Sequence, residues 1–380
     1  MRDALLGLDP KDYDVATEAR PDQVKQLFGR CRYVGEAFGV VLVPMRPWFI
    51  EVATFRSEWA YVDGRRPGRI AFSDAQHDAA RRDFTINGLF EDPLAPEPSK
   101  RIIDLVGGQQ DLAVGLVRAI GDPDERFAED YLRMLRAVRF ASRFDFELEP
   151  RTLAAIRSHA GQLGCISRPR IGQEVMAMLD PAAEVRPVLA VRLIQQTLLD
   201  GPALQQAHSN AVPATVEALG AAAHYPTVLA GWMLDRRPDA PASATELAGT
   251  LRQALSLSNA HHGALLGVLD LFAQALVWDR MPVARRKRLV ARPSWAQALQ
   301  LVAAWPHAPR QLADRIEIQC AALQRQGVAP PPLLSGHDLI QMGLTPGPRF
   351  AQLLEAAYDA QLEGHLRSRA EALNWMRQHI

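Results

Sequence analysis

A chain of 380 residues is too long for one ordinary hydrophobic core, and its 48% apolar and 23% charged content is that of a globular protein. Basic and acidic side chains balance at 43 each, which excludes a global electrostatic pull toward nucleic acid or membrane and leaves any polyanion contact to local clustering. Cys31, Cys165 and Cys320 are too few and too scattered for a disulfide framework or a zinc pattern, and no apolar run reaches membrane-spanning length, so a cytoplasmic protein is expected.

The first predicted element lies in Asp12-Tyr13-Asp14-Val15-Ala16-Thr17. In a strand, Asp12 and Asp14 share one face, where two like charges repel unless a cation lies between them; an isolated pair of this kind is more often a solvent-facing loop. Residues 20–30 read as a helix, and 34–44 and 48–55 as adjacent strands of a hairpin. Glu51, flanked by Ile50 and Val52, points away from the apolar face of its strand, where it is able to converge with Asp12 and Asp14. Three carboxylates at one place are what a pair of Mg²⁺ ions requires, although Glu51 as a plain surface residue fits the sequence equally well.

Residues 73–90 read as a helix carrying Arg81, Arg82, Asp83 and, one turn further on, Asn87. An arginine there suits a triphosphate and an Asp–Asn pair suits ribose hydroxyls; a surface salt bridge at a helix end is the plainer alternative. Short strands near 101–108 and 116–121 complete an α+β unit. Beyond Gly121 strand signals nearly vanish. The spacing predicts one long amphipathic helix over 124–144, with Leu132, Leu135, Val138 and Phe140 in its buried stripe. Arg133, Arg136, Arg139 and Arg143 recur on one side of it, ordinarily a solvated face. Glu129, Asp130 and Arg133 also share that neighbourhood, and a carboxylate beside a guanidinium offers both an acceptor and donors to a base edge. Lysine occurs only at 11, 25, 100 and 287, so nearly all positive charge is arginine, which suits phosphates and base edges, though a GC-rich genome gives the same bias.

Taken in order, the motifs Arg2-Asp3, DYDVAT, IEVATFR, RRDFTIN and EDYLRMLRAVRF resemble the class II tRNA nucleotidyltransferase and bacterial poly(A) polymerase family, densely over residues 1–180 and thinly afterwards. The resemblance implies an α+β nucleotidyltransferase head with a mixed β-sheet over 1–121, a helical neck over 122–185, and an all-α body (186–326) and tail (327–380). It implies Mg²⁺ on Asp12 and Asp14 with Glu51 as third carboxylate, Arg2 and Arg82 on the triphosphate, and Asp83 on the ribose. Asp130 and Arg133 would pair with the incoming base, oriented by Glu129, and Arg136 matches a further nucleotide contact. The expected substrates are ATP, CTP and a tRNA 3′ end, with no membrane or protein partner implied. The family also has an apolar strand ending in Gly-Gly before Arg-Asp. Here the chain starts at Met1-Arg2-Asp3, so that strand is expected upstream of a start codon that can be read as either Met or Val.

Three readings of the activity follow: addition of CMP and AMP to make CCA, ATP-only tailing by a poly(A) polymerase or A-adding enzyme, and an inactive RNA-binding relative. Residues 333–364 resemble the tail of CCA-adding enzymes, with Gly343, Pro346, Gly347 and Pro348 forming either a phosphate-contacting turn or a plain inter-helix turn. Arg170 and Glu174 fall on one helical face that either bounds the nucleotide pocket or packs the neck. The basic run 283–292 is either an acceptor-stem contact or a solvated face. No phosphohydrolase chemistry is expected: Asp235 lacks a preceding histidine, and His261 and His262 read as ordinary helix residues.

Overall fold

The β-branched run Val40–Met45 and the segment Trp48–Thr54 pair antiparallel, as their composition predicts, and seed the N-terminal sheet. The computed structural model describes every residue except 11–12, 34–38, 63–65, 98–100, 182–184 and 238–242. Its contacts divide the chain into two units, one of Met1–Asn210 with Gln253–Ser256, the other of Ala211–Arg252 with Leu257–Ile380.

In the first unit, α1 (Arg2–Leu5) precedes β1 (Asp14–Thr17), α2 (Pro21–Phe28), β2 (Arg32–Tyr33), β3 (Val40–Met45) and β4 (Trp48–Thr54). The sheet order is β1-β4-β3-β2, with β1 parallel to β4 and the other pairs antiparallel. Val24 of α2 packs on Val41, Val43 and Val52 to make its small core. A hairpin of β5 (Arg56–Val62) and β6 (Arg66–Phe72) follows, then α3 (Ala75–Ala80), β7 (Leu89–Glu91) paired with β8 (Ile102–Asp104), and α4 (Gly108–Val114). Next come β9 (Leu116–Val117), α5 (Pro123–Glu129), α6 (Leu132–Phe144), β10 (Glu147–Leu148) parallel to β9, α7 (Pro150–His159), α8 (Arg168–Leu179), α9 (Pro187–Gln196) and α10 (Asp200–Leu204). The anticipated mixed-sheet head followed by helices is therefore the observed fold.

Two predicted helices are corrected. Residues 73–90 are helical only over Ala75–Ala80; Phe84 then bridges Ala119, and Thr85–Asn87 form a single 3₁₀ turn before β7. Asp83 accepts the Phe84 N–H at 2.9 Å, a local bond that competes with helix, and Phe84 and Ile86 are wholly buried. The long helix over 124–144 breaks at Asp130, which is extended at φ −155° and ψ 103°. There the Asp130 carboxylate accepts the Leu132 N–H at 3.1 Å and starts a new helix. The buried stripe of α6 is otherwise the predicted one, since Leu132, Leu135, Val138 and Phe140 are all buried. α6 packs on α8 and α9. Gly172 lets α8 meet the backbone at Leu255, because a Cβ there would lie 2.8 Å from the Leu255 carbonyl carbon and closer still to its oxygen.

The second unit is helical throughout its described residues: α11 (Ala214–Leu219), α12 (Tyr225–Arg236), α13 (Ala244–Leu255, whose last residues join the first unit), α14 (Asn259–Ala275), α15 (Val283–Val290), α16 (Trp295–Ala304), α17 (Leu312–Gln326), α18 (Gly336–Gln341), α19 (Pro348–Leu362) and α20 (Arg369–His379). Trp278 is fully buried against Trp295, and its Nε1 donates to Gln319 at 2.8 Å. The basic run 283–292 is more than a solvated face, since several of its side chains enter the packing of this unit. Buried Lys287 donates to the Leu362 carbonyl at 2.9 Å, at the C-terminal end of α19, while Glu363 accepts the Ala284 N–H at 2.7 Å, at the start of α15. Arg288 pairs with Glu355 (2.9 Å) and Asp359 (2.8 Å), Arg286 bonds Gln319, and Arg292 pairs with Asp270. Each helix thus satisfies an end of the other, as orphan terminal N–H and C=O groups require.

Candidate functional site

The β1–β4 pairing sets Asp14 directly beside Glu51. Residues opposite each other in a parallel pair face the same way, about 4.8 Å apart across the strands. Both carboxylates are exposed, and neither has a hydrogen-bond or ion-pair partner among the described residues. Two neighbouring anions without a neutralising group form a natural cation site. Asp12, the expected third member, lies outside the described residues, and those described contain no cluster of three ligating side chains.

A cavity of about 440 Å³ within the first unit is lined by Arg2, Arg82, Asp83, Asn87, Asp130, Arg133 and Arg136, together with Arg81, Leu132, Phe140 and Arg170. That volume suits a small-molecule ligand. The Arg2 guanidinium lies over Phe140 and Phe144, 4.6 and 4.8 Å from the ring centroids, and donates to the Asn87 Oδ1. It also pairs with Asp3 at 2.6 Å, and Asp3 accepts Arg143 at 2.9 Å. Burial pushes the Arg2 guanidinium below its usual value, offset in part by Asp3. Arg82 donates to the Asn87 carbonyl at 2.8 Å, pairs with buried Asp78, and lies 4.3 Å from the Phe90 ring. Arg81 shares Asp78 and reaches Glu58.

Asp83 is nearly buried, and burial alone would raise its pKa. The charge of Arg136 (2.6 Å), the Asn87 amide (2.9 Å) and the more distant Arg133 instead hold it below the usual carboxylate range. Burial likewise works against the charge of Arg136, and Asp83 and Glu174 outweigh it, leaving that guanidinium raised.

At the α5–α6 break, Glu129 accepts Arg126 at 2.8 Å and also pairs with Arg133. Arg133 donates to the carbonyls of Arg126 (2.9 Å) and Arg81 (3.2 Å), which fixes the plane of its guanidinium. Glu129 thus stands behind Arg133 and does not line the cavity. Asp130 pairs with Arg170 of α8 at 2.6 Å, and Glu174, one turn along, pairs with Arg139 at 2.7 Å. The arginine row of α6 is therefore a ladder: Arg133 to Glu129, Arg136 to Asp83, Arg139 to Glu174 and Arg143 to Asp3. Sequence reasoning left Arg170 open and passed over Asp3, Asp78 and Arg126. Arg126, three residues before Glu129, and Asp78, three and four residues before Arg81 and Arg82, carried a helical-spacing signal, and Asp3 carried none toward Arg143.

A family model described as the poly A polymerase head domain matches residues 1–118, and one described as probable RNA and SrmB-binding site of polymerase A matches 145–197. The CCA-adding enzyme of Enterococcus faecalis is 47% identical over 180 residues, 47% of this chain and 43% of that protein. Poly(A) polymerase I of Salmonella typhimurium is 41% identical over 190 residues, 47% of this chain and 40% of that protein. In both, the match spans less than half of the relative's length. The CCA-adding enzyme of Limosilactobacillus fermentum is 31% identical over 386 residues, covering 98% of this chain and 89% of that protein. Among solved structures, the Bacillus stearothermophilus CCA-adding enzyme in complex with CTP superposes with a TM-score of 0.69 at 25% identity, covering 100% of this chain and 91% of that one. The Thermotoga maritima CCA-adding enzyme complexed with tRNA shares the fold at a TM-score of 0.67 and 22% identity, covering 100% and 89%.

Proposed function

Since this chain belongs to the family of CCA-adding enzymes and bacterial poly(A) polymerases, we propose that it is a nucleotidyltransferase that adds CMP and AMP to tRNA 3′ ends without a nucleic-acid template. One observation carries the reading: a single cavity gathers an acceptor–donor pair, Asp130 and Arg133, with the arginines a triphosphate needs, Arg2 and Arg82. Asp130 accepts from the amino group of cytosine or adenine, and Arg133 donates to the adjacent ring nitrogen. Uracil and guanine present a carbonyl where that amino group stands, so both bases leave the carboxylate facing another acceptor. Glu129 holds Arg133 for this task, Asp83 and Asn87 meet the ribose, and Arg136 is a further nucleotide contact.

The terminal hydroxyl of the tRNA attacks the α-phosphorus in line; the new O–P bond forms as the bond to pyrophosphate breaks, and the hydroxyl proton passes to the surrounding water. Arg2 and Arg82 receive the charge that grows on the departing pyrophosphate. Asp14 and Glu51, with Asp12, would hold Mg²⁺, which when bound supplies Lewis-acid stabilisation of the phosphoryl oxygens. The Asp14–Glu51 pair, without a side-chain partner among the described residues, supports this assignment. The chain works in the cytoplasm, in line with the absence of any membrane-length apolar helix among the described residues. Division into head (1–121), neck (122–185), body (186–326) and tail (327–380), with the tail touching tRNA, belongs to the same reading.

A relative that matches nearly the whole chain is a CCA-adding enzyme, which favours CCA over poly(A) addition. The poly(A) polymerase likeness over the first half sustains ATP-only tailing as a second reading. Incubation of tRNA lacking its CCA end with labelled CTP or ATP decides between them. CTP incorporation supports CCA addition, ATP alone supports tailing, and neither overturns both.

A further inference from the structure

Asp130 lies at an extended break between two helices, and only one backbone N–H, that of Leu132, fixes its carboxylate from within its own segment. Rotation of a carboxylate about Cβ–Cγ is soft, so one such bond does not set its plane. Arg170 supplies the missing constraint through two bonds, Nη1 to Oδ1 at 3.3 Å and Nη2 to Oδ2 at 2.6 Å, the parallel fork by which guanidinium fixes a carboxylate plane. Both side chains are about four-fifths shielded from water, which strengthens the pair. Arg170 lines the same cavity, so the fork grips Asp130 from inside the site.

We propose that Arg170 is a positioning residue for base selection, holding the Asp130 carboxylate in the plane from which it accepts an amino group of the incoming base. This rests on the reading of Asp130 and Arg133 above. Its partner on the next turn of α8, Glu174, grips Arg139 and stands 4.0 Å from Arg136, so α8 clasps α6 at two heights, only one of which touches the base-reading group. That separation makes the role testable. A lysine keeps the charge at 170 but not the fork.

The experiment measures single-turnover incorporation of each of CTP, ATP, UTP and GTP onto tRNA lacking CCA, with the folded state of every variant checked by thermal melting. Arg170→Gln is expected to lower the preference for CTP and ATP over UTP and GTP by about tenfold or more. Arg170→Lys, the milder variant that carries the test if Arg170→Gln does not fold, recovers only part of that preference. Glu174→Gln, which removes an equivalent α6–α8 pair, leaves the preference unchanged. A wild-type preference in Arg170→Gln or Arg170→Lys, alongside a changed one in Arg133→Ala, overturns the positioning role and spares the base reading. An equal shift in Glu174→Gln also overturns it, since packing of α8 would then account for both. An unchanged preference in Arg133→Ala overturns the base reading itself.

Discussion

Gly172→Ala places a methyl group where α8 meets the backbone of Leu255. The new Cβ would stand 2.8 Å from the Leu255 carbonyl carbon and 3.3 Å from its Cα. Carbon pairs rest at about 3.5–4.0 Å and the Leu255 carbonyl oxygen stands closer still, so α8 has to withdraw by at least about 1 Å, and no flexible side chain is available to yield in its place. Alanine is the better helix former by about 1 kcal/mol, but forcing bulk into a packed contact costs about 1–3 kcal/mol and more where the obstacle is main chain. The net expectation is a loss of about 1–2 kcal/mol, read as a lower urea midpoint with an unchanged slope. Arg170 stands about 200° around the helix from Gly172, so the same displacement presses on the opposite face of α8 and disturbs the 2.6 Å Arg170–Asp130 bond, and discrimination against UTP falls in parallel. Tryptophan fluorescence in urea and the CTP-to-UTP incorporation ratio are the two assays. A variant as stable as the parent, or more so, refutes the close approach, and a destabilised variant with parental discrimination refutes the link from α8 to Asp130.

Asp14→Ala and Glu51→Gln are each expected to slow transfer about a thousandfold or more while tRNA binding, followed by gel shift, stays close to parental; retained transfer removes the cation role. Lys287→Ala deletes a charge-assisted bond to the Leu362 carbonyl and should lower stability by about 2 kcal/mol, with Lys287→Met recovering the packing of the stem; parental stability in Lys287→Ala contradicts the mutual capping of α15 and α19. In the tail, the Ser335 backbone N–H, then Arg369 and the Ser335 hydroxyl, hold Asp338 down to about 2. Its contribution to stability is therefore full above the unfolded value of about 3.9 and is lost as pH falls through about 2. Melting temperatures should drop across that acid window in the parent and less steeply in Asp338→Asn; identical slopes count against the cap.

What the sequence disclosed depended on whether a residue acts through local spacing or through distant contacts. The α6 stripe was legible because four buried apolar side chains recur at helical period, and the β3–β4 hairpin because its residues are β-branched. Neither helix correction was legible from periodicity. At Asp83 and Asp130, a carboxylate captured a nearby backbone N–H and ended the regular pattern, a competition a window of apolar residues does not register. The hairpin of β5 and β6 escaped notice for a related reason, since Arg56, Glu58, Arg66 and Arg69 interrupt any apolar alternation. Gathering of Arg2, Asp83 and Asp130 into one cavity followed from motif order and not from composition. Asp3 shows the limit: its partner Arg143 lies 140 residues away, and nothing at either position announces the other.

The reciprocal satisfaction of α15 and α19 makes the two segments a single heritable block. A chimera whose imported tail lacks an acceptor at the place of Glu363 would leave the amide at Ala284 unanswered, and one whose helix ends elsewhere would take from Lys287 the carbonyl it bonds. Exchange of C-terminal segments among relatives is therefore expected to keep parental stability best when residues 283–292 travel with the tail.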